Sequence, residues 1–200
     1  MKLVAGLGNP GRKYEDTRHN AGFWWLEALA RAGGVTLRHE ARFHGEGARV
    51  GSQVGEVWLL KPATYMNESG RAVGALADFY KIEPKDILVV HDELDLPPGD
   101  IRLKFGGSAS GNGVRSVIQR LGTRDFWRLR IGIGHPRELA KSEQEVVDYV
   151  LHAPRAEERR AIDDALERAS EAWPLVSKGD MQAAMLRLHT KPGAGPAPKP

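Results

Sequence analysis

The sequence predicts a single α/β domain, a mixed β-sheet flanked by helices with a helical C-terminal third, on three observations. Short strand-like runs and helical periods alternate through the first two-thirds of the chain, the order that lays helices over a sheet. One run, Ile87-Leu88-Val89-Val90, is apolar without a break and reads as a central strand buried on both faces. The final third shows helical spacing alone. With 200 residues, 41% of them hydrophobic, the chain has material for one ordinary core.

The elements follow in order. Residues 2–5 form a strand that runs into the turn-rich Gly6-Leu7-Gly8-Asn9-Pro10-Gly11. A helix is predicted over 21–32, with Asn20 placed to cap it and Gly33-Gly34 to end it. Residues 35–39 alternate as a half-buried strand does, and Val57-Trp58-Leu59-Leu60 reads as another before Pro62. Asn67-Glu68-Ser69 opens a helix whose apolar positions Val73, Leu76, Ala77 and Tyr80 recur at helical spacing. Beyond the central strand, residues 101–105 and the alternating Leu129, Ile131 and Ile133 supply two more strands, separated by a helix over 113–121. Pro154 suits the first turn of a helix whose stripe Ile162, Leu166, Ala169, Trp173, Val176 is expected to bend or break at Pro174. A short helix over 181–188 closes a domain of residues 1–188. Residues 189–200, which from Lys191 contain only Lys, Pro, Gly and Ala, are expected to form a disordered tail. There are no repeats.

The chain has no cysteine, which excludes disulfides, thiolate metal sites and a cysteine nucleophile. The first apolar run is too short for a signal-peptide core, and none later approaches the ~20 residues of a membrane span, so a soluble cytoplasmic protein without membrane contact is expected. The net charge of +3 is unevenly spread. Residues 99–137 hold eight basic residues against two acidic, while 138–190 hold seven basic against eleven acidic. A basic segment with Phe126 and Trp127 among arginines suits a polyanion such as nucleic acid; a solvated surface is the alternative.

Several motifs can carry chemistry. Gly6 to Gly11 has the G-x-G-x-x-G spacing of a dinucleotide loop, but a polar stretch rather than a helix follows Gly11, and Pro10 removes a phosphate-binding N–H. A tight turn that lets backbones pass closely is the other reading. His19 sits in a polar loop before a helix, where its pKa near 6.5 suits a general base; an exposed histidine at a helix start is the bland counterpart. His91-Asp92-Glu93-Leu94-Asp95 follows the central strand and offers a carboxylate to orient such a base, while its spacing matches no zinc motif. Asn67 is a substrate contact or merely a helix cap. The glycine-rich stretch Gly106-Gly107-Ser108-Ala109-Ser110-Gly111-Asn112-Gly113 feeds a helix whose N-terminus suits an anion. Neither a nucleotide-hydrolase loop nor a G-x-S-x-G elbow is present, which leaves direct attack by water.

Five ordered segments resemble bacterial peptidyl-tRNA hydrolases across residues 1–188. They are Gly6 to Gly11; Tyr14 with Thr17-Arg18-His19-Asn20-Ala21-Gly22; Lys61-Pro62 to Tyr65-Met66-Asn67-Glu68-Ser69-Gly70; His91 to Asp95; and Arg128-Leu129-Arg130-Ile131-Gly132-Ile133-Gly134-His135-Pro136. The resemblance implies a monomeric, metal-free and cofactor-free esterase that cuts peptide from the 3′ end of peptidyl-tRNA released by ribosomes, with no obligate protein partner. His19 would activate the water and Asp92 would stabilise it as it takes the proton. Asn9 would help to distinguish a blocked aminoacyl end. Tyr14, Tyr65, Asn67 and Asn112 would contact the substrate, Met66 would line the peptide groove, and Lys104 and Arg130 would be available to phosphates. The family usually carries Gly-Gly-His-Asn-Gly where this chain has Ser110-Gly111-Asn112-Gly113, one residue shorter and without the histidine. A non-catalytic RNA-binding protein of the same fold is the alternative function, and a nicotinamide-binding enzyme a third.

Overall fold

The computed structural model describes residues 1–137 and 142–190. Among these residues seven strands form one mixed sheet: β1 (Leu3–Gly6), β2 (Arg38–Glu40), β3 (Gly45–Ser52), β4 (Gly55–Pro62), β5 (Ile87–Glu93), β6 (Ile101–Phe105) and β7 (Trp127–Gly132). Their order is β2-β3-β4-β1-β5-β7-β6. The middle four are parallel, so β4, β1, β5 and β7 all end on one side; β3 and β6 run antiparallel to β4 and β7. In open α/β sheets that carboxyl edge is where sites assemble.

Among the described residues six α-helices cover the sheet: α1 (Ala21–Ala32), α2 (Ser69–Tyr80), α3 (Gly111–Leu121), α4 (Glu143–Val150), α5 (Ala156–Lys178) and α6 (Met181–His189). The two-residue period of each strand sorts side chains into two cores. Val4, Leu59, Leu88 and Val90 join α1, α5 and α6 on one face. Leu3, Ala5, Leu60, Ile87 and Val89 join α2 and α3 on the other. The central strand is therefore buried on both faces, as its unbroken apolar run predicts. Among the described residues no helix is long and apolar enough to cross a membrane.

The glycine motif serves contact between backbones. A Cβ on Gly22 would lie 2.4 Å from the Val90 carbonyl oxygen, and one on Gly6 would lie 2.5 Å from the Gly22 carbonyl oxygen. Helix α1 therefore seats its first turn directly on the ends of β1 and β5. Only a 3-10 turn, Arg12–Tyr14, opens at Gly11; nine residues lie between Gly11 and α1.

Four expectations need correction. Asn20 makes no capping bond to α1. Pro174 does not end α5, which runs on to Lys178 with Ala172 and Val176 buried around it; that packing offsets the missing backbone hydrogen bond. Strand β3 and helix α4 are additional elements. Helix α6 extends to His189, whose Nε2 accepts from the Leu103 N–H at 3.0 Å and covers part of the exposed β6 edge, so the ordered chain passes residue 188. The remainder of the expected tail, 191–200, lies outside the described residues.

Candidate active site

The same alternation that sorts the core sorts the charged end of β5. Leu88, Val90 and Asp92 point to the α1 side, while His91 and Glu93 point to the α3 side. His19 lies in a 3-10 turn (Arg18–Asn20) immediately before α1. Its Nδ1 is 2.9 Å from Asp92 Oδ2, with the two side chains 18% and 8% exposed. A carboxylate only accepts, so Nδ1 carries the proton and Nε2 keeps its lone pair. Burial opposes the protonated ring, but the charge of Asp92 and its hydrogen bond outweigh that effect and raise the His19 pKa above its ordinary value.

Two neighbours of His19 hold this turn in place, and the sequence reading assigned neither that role. The Arg18 guanidinium donates to the Tyr149 carbonyl at 3.0 Å and to Glu158 Oε2 at 3.1 Å, tying the turn to α4 and α5. Asn20 clamps the backbone of Asn9: its Oδ1 accepts from Asn9 N–H at 2.8 Å and its Nδ2 donates to Asn9 C=O at 3.0 Å. Asn9 in turn accepts the Met66 N–H on Oδ1 at 2.7 Å. Because that donor fixes which end of the amide is oxygen, the Asn9 Nδ2 is the end left for a ligand.

A cavity of about 470 Å³ gathers seven of the expected residues: Asn9, His19, Tyr65, Met66, Asn67, Asp92 and Asn112. Asn67 stands exposed in a 3-10 turn (Met66–Glu68) and caps no helix. Asn112 takes Arg115 on its Oδ1 at 3.1 Å, which again leaves the amide nitrogen. The shorter glycine-rich loop thus still brings Asn112 to the cavity. Gly113 lets α3 press on Met66, since a Cβ there would lie 2.4 Å from its sulfur. Tyr14 stands outside the lining, its ring edge-on to Tyr65 at 6.4 Å. Val146, Val147 and Val150 of α4 form an apolar wall on the far side. The sequence signal for that helix was the capping box Ser142 to Glu145 ahead of an apolar run.

Lys104 and Arg130 lie off the cavity and differ from each other. Register places Arg102 opposite Arg130 and Lys104 opposite Arg128, so all four cations share one face of the β6–β7 pair. Lys104 is exposed. Arg130, by contrast, is not the free phosphate contact expected: it closes on Glu93 Oε1 at 2.5 Å, because a carboxylate only 2% exposed requires a counter-charge. Burial works against the Glu93 charge, but the Arg130 hydrogen bond prevails and keeps its pKa below the usual range. Arg128 is buried and donates to the Ser108 carbonyl at 2.9 Å, pinning the glycine-rich loop. Among the described residues no three His, Asp or Glu side chains converge as a metal site.

A family model described as peptidyl-tRNA hydrolase matches residues 3–195. The peptidyl-tRNA hydrolase of Nitrosospira multiformis is 58% identical over 192 residues, covering 96% of this chain and 98% of the relative. That of Thiobacillus denitrificans is 56% identical over 194 residues, covering 96% and 92%. The crystal structure of peptidyl-tRNA hydrolase from Acinetobacter baumannii matches with a TM-score of 0.90 at 42% identity, over 95% of each chain. With sequence and fold agreeing along nearly the whole length, this chain belongs to the peptidyl-tRNA hydrolase family.

Proposed function

We propose that the protein hydrolyses the ester between a peptide, or an N-blocked amino acid, and the 3′ end of tRNA. The observation that carries this reading is the 2.9 Å contact between His19 and Asp92 at the edge of a cavity bordered by the Asn9 amide. His19 Nε2 takes a proton from water as the water oxygen bonds to the ester carbonyl carbon. The carbonyl oxygen becomes an anion, which amide N–H groups of Asn9 or Asn112 stabilise. Collapse of this intermediate breaks the bond to the ribose 3′ oxygen, and His19 returns its proton to that leaving group. Asp92 holds the ring in the required tautomer and stabilises it while charged. Tyr14, Tyr65, Asn67 and Met66 contact the bound substrate.

A non-catalytic RNA-binding role would not require an oriented histidine–carboxylate pair, and the hydrolytic reading uses it. The test is release of free peptide from peptidyl-tRNA by the purified protein with a metal chelator present; the expected result is multiple turnover. As part of the same reading the enzyme acts alone, as a monomer, in the cytoplasm where ribosomes supply its substrate.

The cation face supports a second expectation. Replacing Lys104 by Ala should make the plot of log affinity for tRNA against log salt shallower by about one unit, since one phosphate contact is lost, with stability unchanged. Arg130→Ala should behave differently. It leaves the Glu93 carboxylate buried and unpaired, so a stability loss of about 3 kcal/mol in urea unfolding is expected. An Arg130→Ala protein of native stability with a shallower salt slope would return Arg130 to the tRNA.

A further inference from the structure

The Arg18 side chain is a buried cation, 7% exposed, set between the carboxyl end of α4 and the first turns of α5. Its Nη1 donates to the carbonyls of Tyr149 at 3.0 Å and His152 at 3.3 Å, which bracket the cavity-lining Val150 and Leu151. The flat guanidinium lies 3.9 Å from the centre of the Tyr149 ring, and Nη2 reaches Glu158 Oε2 at 3.1 Å. A cation at a helix carboxyl end satisfies carbonyls that the last turn leaves over and meets the negative end of the helix dipole. Helix α4 depends on such an anchor, because of its eight residues only Val150 is buried and Val147 is 43% exposed. A second tie runs from the Tyr149 hydroxyl to the Ile133 carbonyl at 2.8 Å.

At its other end the tie is backed by bonds that do not involve the Arg18 side chain. The Arg18 N–H donates to the His152 carbonyl at 3.0 Å, and Asn20 clamps Asn9, so the His19 turn keeps these supports when the side chain is shortened. What the side chain alone fixes is α4. That helix carries Glu143, Glu145 and Asp148 and no cation, so it repels phosphate and offers Val146, Val147 and Val150 to the peptide arm of the substrate. We infer that Arg18 is a positioning residue which, by fixing the carboxyl end of α4, sets the valine wall at the distance from His19 and Asp92 where an apolar side chain on the peptide's last residue packs. The inference rests on the hydrolase reading and adds to it a preference among peptides.

The test compares the wild type with Arg18→Met and Arg18→Lys on the N-acetylglycyl and N-acetylleucyl esters of one tRNA. The wild type is expected to favour leucine about tenfold in kcat/KM, through KM, as burial of an apolar side chain against the wall predicts. Arg18→Met should raise KM for the leucyl ester about fivefold and for the glycyl ester less than about twofold, with kcat on both nearly unchanged. The acidic limb of its rate profile should stay in place, since the charge and hydrogen bond that raise the His19 pKa belong to Asp92. Arg18→Lys keeps the charge but neither the fork nor the flat stacking face, so it should recover part of the preference. It also carries the test if circular dichroism shows Arg18→Met unfolded; failure of both to fold would make Arg18 a stability residue and overturn the inference. A wild type indifferent to leucine, equal losses on both esters, a fall in kcat at constant KM, or a shifted limb would overturn it too, while leaving the hydrolase standing. If the wild type cuts neither ester, the parent reading falls and takes this one with it.

Discussion

Hydrolysis by His19→Ala is expected to fall at least about 100-fold, the usual consequence of losing a positioned general base, with tRNA affinity nearly unchanged. The affinity should persist because the cation face of β6 and β7 lies away from His19. Two other histidines border the cavity, His91 and His135. His91 is 2% exposed, its Nδ1 is held by the Asp92 carbonyl at 2.8 Å, and burial lowers its pKa. Among the described residues neither ring meets a carboxylate as His19 does. His135→Ala therefore serves as the control and should keep most of the rate. Single-turnover hydrolysis separates the cases: near-full activity in His19→Ala together with loss in His135→Ala would transfer the base to His135.

Much of this arrangement was legible in the residues because strand periodicity is a strong signal. The unbroken run at 87–90 located the central strand, and the alternation along it separates Asp92 from His91 and Glu93. Helix α1 follows its apolar period from Ala21 to Ala32. Strand β3 was hidden because Gly45, Gly47 and Gly51 with Glu46 and Arg49 have a loop's composition; pairing with β4 along its whole length imposes the strand. Asn20 occupies a capping position yet is drawn to Asn9, because a loop backbone buried at the site must find partners that no helix or strand supplies. Arg130 illustrates a limit of charge counting. A basic residue in a basic segment looks available until the fold shows the buried carboxylate beside it. The roles given to Tyr14, Tyr65 and Asn112 came through family resemblance, since a lone tyrosine or asparagine has no pattern of its own.

Asp92→Asn should move the acidic limb of the rate profile to lower pH and also lower its plateau. Asp92 supplies both influences that raise the His19 pKa, its charge and its hydrogen bond, while burial acts in the opposite direction. Without the carboxylate only burial remains. The neutral, active form of His19 should then persist to a pH below the ordinary imidazole value near 6.5. The plateau falls for a separate reason: an amide can present N–H as well as C=O to Nδ1, which allows the tautomer that places the proton on Nε2 and blocks base catalysis. At least a tenfold drop is expected at neutral pH. Stability gives an independent reading of the same pair. A His19 pKa raised by folding means the native state favours the protonated ring, so that contribution is present in acid and disappears as pH rises through the folded value. The stability gap between wild type and Asp92→Asn should accordingly narrow from pH 6 towards pH 8. If Asp92 only packs the loop, the gap will be flat with pH and the kinetic limb will stay in place, and an undiminished plateau would then remove Asp92 from the mechanism.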